Sequence, residues 1–135
     1  MVISPKRLEK GKIVAIRVLW DKYETALLID AWLSIEAGEL SKQSAVIMLS
    51  EQLRNRAKSR GQSIDDVFRN ENGISMQLNN IQRLMNKEPG ANQHNTKIFI
   101  DMVEMYFTDR TQFCEILQEA KRWGYYSFLP CSRHY

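Results

Sequence analysis

Apolar residues recur at three- and four-residue intervals along most of this chain, and nearly every run opens on a residue able to cap a helix. Such spacing puts one residue per turn on a common helix face. The chain is therefore constrained to pack helices against one another. The cleanest run is Ile74, Leu78, Ile81 and Met85, which predicts a helix over 73–86 with Asn72 as its cap.

Other runs read the same way. Asp21-Lys22-Tyr23-Glu24 has the form of a capping box, an acceptor followed three residues later by a carboxylate. It opens a helix whose Tyr23, Leu27 and Ala31 are joined by Ala26, Leu28, Ile29, Trp32 and Leu33, an apolar surface wide enough for burial on most sides. Gly38 ends it. A second helix starts after Ser41 on the stripe Ala45, Leu49, Leu53 and Ala57 and stops at Gly61. A short turn at 63–68 follows. A fourth helix after Asn95 carries Ile98, Phe99, Met102, Val103 and Tyr106, and a fifth, capped by Asp109, carries Phe113, Ile116, Leu117 and Ala120.

The N-terminal side is different. Residues 1–12 form a basic lead-in, and 12–19 are rich in β-branched residues, so a strand is expected there. One strand alone has nothing to pair with. It either packs as an extended segment on the helices or pairs with another chain. The organisation expected is 1–19 as lead-in and extended segment, 20–124 as helical domain, and 125–135 as an aromatic tail. The fold expected is all-α: about five helices, the first three a helix-turn-helix-like unit and the last two a hairpin packed on it.

Several function classes find no support. Neither GxxxxGK[ST] nor GxGxxG occurs, so no phosphate-cradling loop is present. His94 and His134 have no cysteine or carboxylate at ligand spacing, so no metal or other cofactor is expected. Asp101 and Glu104 share a helix face, as the solvated side of an amphipathic helix does. Without a plausible histidine there is no Ser-His-Asp arrangement, and the chain is expected not to be an enzyme. Cys114 and Cys131 are too few for a disulfide scaffold and read as two reduced thiols. No run approaches ~18 consecutive apolar residues, so no membrane span is expected, and a cytoplasmic location is the default reading.

What stands out is polar selection around the third predicted helix. Its non-apolar face carries Ser75, Gln77, Asn79, Asn80, Gln82 and Arg83, with no acidic residue from Asn72 to Asn86. An ordinary solvated face favours Glu and Lys. Amides pair with adenine edges and arginine with guanine in a major groove. Asn72 and Gly73 would leave free N–H groups at the helix start for a phosphate. From Lys42 to Arg83 there are seven basic and four acidic residues, an excess equal to the whole chain's net charge of +3. Arg54, Arg56, Lys58 and Arg69 are thus candidate phosphate anchors, and Ser75, Gln77, Asn80 and Arg83 candidate base contacts.

Trp20, Glu24, the run Ala26-Leu27-Leu28-Ile29-Asp30-Ala31, Leu49-Ser50, and Phe68-Arg69-Asn70-Glu71-Asn72-Gly73 continuing to Asn80 together resemble a known pattern. It is that of the N-terminal helical region of modification-dependent HNH restriction endonucleases and related bacterial defence or mobile-element proteins. The resemblance covers roughly Trp20 to Lys121. It implies a DNA-binding or DNA-targeting module, with Arg69, Asn70, Asn72, Gly73, Gln77 and Asn80 as the turn and helix of the motif. The nuclease part has no counterpart here, so cleavage is not implied. The alternative expectation is a protein-interaction adaptor or regulator in such a system, using the N-terminal segment and the aromatic tail.

Overall fold

In a computed structural model the described residues are 18–122, together with the backbone of 6–9 and 12–15. The aromatic tail expected at 125–135 lies outside them.

The extended segment finds its partner in its own lead-in. β1 (Lys6–Glu9) and β2 (Lys12–Ala15) form an antiparallel pair in which Leu8 stands opposite Ile13 and Arg7 opposite Val14. This corrects the expectation of an unpaired strand. The rest of the described chain is an all-α bundle.

α1 (Lys22–Glu36) is the central helix. Its capping box is complete: Asp21 Oδ1 accepts from the Glu24 amide at 2.8 Å, and Glu24 Oε1 accepts from the Asp21 amide at 3.2 Å. Glu24 through Ala31 are all buried, because α2, α3, α5 and α6 close around α1. Burial on every side forces its two interior carboxylates to find cations. Glu24 pairs with Arg69, and Asp30 with Lys121 at 3.4 Å.

α2 (Lys42–Ser59) is capped by Ser41 and α6 (Arg110–Lys121) by Asp109, as the sequence predicts. Gly38 and Gly61, at φ +76° and +78°, take the left-handed conformation that ends α1 and α2. α3 (Glu71–Met85) starts earlier than predicted. Asn70, not Asn72, is its cap, and Asn70 Oδ1 accepts from the Gly73 amide at 2.8 Å. α4 (Ala91–His94) is a single turn, too short to leave a periodic signal. α5 (Lys97–Thr108) and α6 pack together and on α1, the helical pair expected at the C-terminal end.

α2 and α3 are joined through residues 60–70. The helix-turn-helix motif uses a turn of roughly three or four residues, so the connection expected from the sequence is not the one present. The core is one cluster: Leu27, Leu28 and Ile29 at its centre, met by Leu49, Ile81, Phe99 and Leu117 from the other helices. Half-buried Cys114 packs at its edge. It is disulfide-bonded rather than a reduced thiol, its partner lying outside the described residues. Cysteine spacing along a chain says nothing about proximity in space.

Candidate interaction site

The site grows out of one arginine. Arg69 sits at φ +47°, a conformation costly for a side chain with a Cβ. Several contacts hold it there. Its guanidinium makes a two-point ion pair with Glu24, Nε to Oε2 at 2.9 Å and Nη2 to Oε1 at 3.0 Å. Nη2 also donates to the Leu19 carbonyl at 3.2 Å. The plane lies between two rings, 4.3 Å from the Trp20 centroid and 4.6 Å from that of Phe68. The side chains of Arg69 and Glu24 are only 7 % and 6 % exposed. Arg69 thereby ties the segment entering α1, α1 itself and the loop before α3 into one unit.

That loop is fastened from α2 as well. Arg54 Nη1 donates to the carbonyls of Asp65 at 3.0 Å and Phe68 at 2.5 Å, and Ser50 Oγ donates to the Arg69 carbonyl at 2.7 Å. Asp65 Oδ1 accepts from the amides of Val67 and Phe68. With its polar groups used up in this way, the loop turns apolar side chains outward.

The result is a cleft of about 690 Å³ between residues 18–20, the 63–69 loop, Gly73 and Gln77 of α3, and 96–99 at the start of α5. Trp20 and Phe99 meet edge to face in its wall, ring centroids 5.7 Å apart. Leu19 and Val67 on its rim are 76 % and 68 % exposed. Lys97 stands at its edge, paired with Asp101 at 2.7 Å. The hydrogen bond and charge of Asp101 hold the Lys97 ammonium above its ordinary range.

The residues singled out in the sequence fall into separate places. Arg54, Arg56 and Arg69 are not phosphate anchors in this arrangement. Arg54 and Arg69 are held as described, and Arg56 is buried against Asp21 at 2.9 Å. Their cationic groups satisfy the protein's own acceptors, which sequence proximity to α3 could not reveal. Lys58 alone of the four is exposed. Asn70 is spent as the cap of α3. The free N–H groups expected at Asn72 and Gly73 are not free either: the Gly73 amide is capped, and Glu71 brings an acidic group to the first turn.

A polar hollow of about 490 Å³ does bring Arg54, Asn70 and Asn72 together, but Asp66 and Glu71 share its lining. Two carboxylates beside it disfavour a phosphate. Ser75 and Gln77 are two positions apart, roughly 200° around a helix, and cannot face one groove together. Gln77 belongs to the cleft wall and accepts from Asn80 Nδ2 at 2.9 Å. Arg83 is exposed on the outer face with Asn72 and Asn79, where Lys42 Nζ donates to Asn79 Oδ1 at 2.7 Å. Leu19, Val67 and Ile98 escaped the sequence reading because each lies off the apolar stripes by which the helices were found.

Among the described residues no three His, Cys, Asp or Glu side chains are grouped so as to hold a metal ion, and no helix is long and apolar enough to cross a membrane. No protein-family model, curated protein or solved structure matches this chain.

Proposed function

We propose that this domain is a non-catalytic binding module and that its partner is a protein segment seated in the apolar cleft. The carrying observation is the cleft itself. Its volume of about 690 Å³ lies within the ~300–1,000 Å³ typical of ligand sites. Single exposed apolar residues are commonplace. Two of them, Leu19 and Val67, on the rim of one aromatic-walled hollow are better explained by a partner. A place in a bacterial defence, restriction or mobile-element system is part of the same proposal. Its support is the resemblance over Phe68–Asn80, whose Phe68, Arg69, Gly73 and Gln77 all line the cleft.

A second reading, DNA binding or targeting, keeps one specific support. Asn72, Asn79 and Arg83 share the exposed outer face of α3, with Lys42 beside them. It lacks the arginine anchors that first suggested it.

Selection from a displayed peptide library separates the readings. Wild-type protein is expected to enrich a common apolar motif, and folded Leu19→Asp and Val67→Asp variants to lose it. Enrichment of nothing by wild type, together with salt-sensitive binding of duplex DNA lost in Arg83→Ala, would replace the first reading by the second.

A further inference from the structure

The positive charge of this chain is not where its helices are. Residues 1–17 hold five basic residues and one acidic residue, a net of +4. Residues 18–122 hold thirteen basic and fifteen acidic, a net of −2. The excess counted over 42–83 is offset locally, since Arg56 and Arg69 are matched by Asp21 and Glu24. The cationic element is the β1–β2 hairpin and its flanks.

A two-stranded ribbon with strands of four residues is marginal in water by itself, and each strand has an edge its partner does not use. Such an edge accepts an extended chain. The chain cannot separate Ala15 at the end of β2 from Val18 on the cleft by more than about 11 Å. The hairpin edge and the cleft are therefore neighbours. Lys97 adds a cation at the opposite side of the cleft.

We infer that the occupant of the cleft is an extended, acidic segment of a partner protein, its backbone alongside the hairpin edge and its apolar side chains in the cleft. This rests on the cleft being a protein-binding site. A nucleic acid would answer the charge of residues 1–17, but it offers neither a strand edge nor aliphatic side chains for the cleft.

The test uses the full chain and two short labelled peptides, one alternating glutamate with leucine and one alternating lysine with leucine, read by fluorescence anisotropy. Wild type is expected to prefer the glutamate peptide by about tenfold or more, with a marked salt dependence. Lys6→Glu/Arg7→Glu/Lys12→Glu should lose that preference and gain affinity for the lysine peptide. A gain of binding cannot come from unfolding. Val67→Asp should weaken binding of both peptides. If Val67→Asp weakens binding while the triple variant leaves the preference unchanged, the cleft stands and the acidic partner falls. If neither variant changes anything, both fall. If the wild type ignores both peptides and binds duplex DNA, with loss in the triple variant, the hairpin is a nucleic-acid arm and the inference is overturned.

Discussion

The loop before α3 and the outer face of α3 carry similar residues and meet opposite fates. Arg69 on the loop has its guanidinium between two rings and in a two-point pair with Glu24, while Arg83 on the helix points to solvent. Asn70 caps a helix, and nearby Asn72 is exposed. Residue type told nothing of this. The difference lies in what each backbone position faces. The loop faces the buried carboxylate of α1 and the aromatic pair at its start, so its polar groups are used internally and its apolar ones are left outside. The helix face meets nothing, so its polar groups stay available.

The largest effect should come from breaking the loop side. Arg69→Ala leaves the Glu24 carboxylate buried without its cation, and should cost about 3–5 kcal/mol of stability in urea unfolding. Arg83→Ala should stay within about 0.5 kcal/mol. Equal effects at the two arginines would erase the contrast.

Next is Lys121→Ala, which removes the cation beside the fully buried Asp30. The longer 3.4 Å pair predicts a smaller loss than at Arg69, about 2 kcal/mol. A cycle with Asp30→Asn should show coupling between the two positions.

The asparagines sharpen the comparison further. Asn70→Ala should cost about 1 kcal/mol by removing the cap on Gly73, and Asn72→Ala a few tenths at most. The reverse order would restore Asn72 as the cap.

Smallest is the surface pair Lys97–Asp101. Asp101→Asn should leave thermal stability almost unchanged, as exposed pairs do. Its visible effect is on titration: removing the main cause of the upward shift should return the Lys97 ammonium toward its ordinary range, followed by NMR.

Much of the fold was legible because it is written locally. Asp21, Ser41 and Asp109 announce helix starts within three residues of the groups they cap, and Gly38 and Gly61 announce ends. The apolar stripes supply the faces. The site was poorly legible because its partners are remote. Glu24 and Arg69 are 45 positions apart, and Asp21 and Arg56 are 35, so basic residues that read as a DNA-facing cluster are internal ties. The cleft is assembled from separate segments, none apolar enough in sequence to draw notice. β1 was missed because four residues with three charges do not look like a strand until their partner is beside them.

The most direct measurement is chemical-shift mapping of the wild-type backbone amides against two probes in parallel, the glutamate–leucine peptide and a random-sequence DNA duplex. The account predicts that the peptide moves Leu19, Val67, Phe68, Gly73 and Ile98 while the duplex moves none of them. Shifts confined to Asn72, Met76, Asn79 and Arg83, produced by the duplex with the cleft amides still, would contradict it and return the binding surface to the outer face of α3.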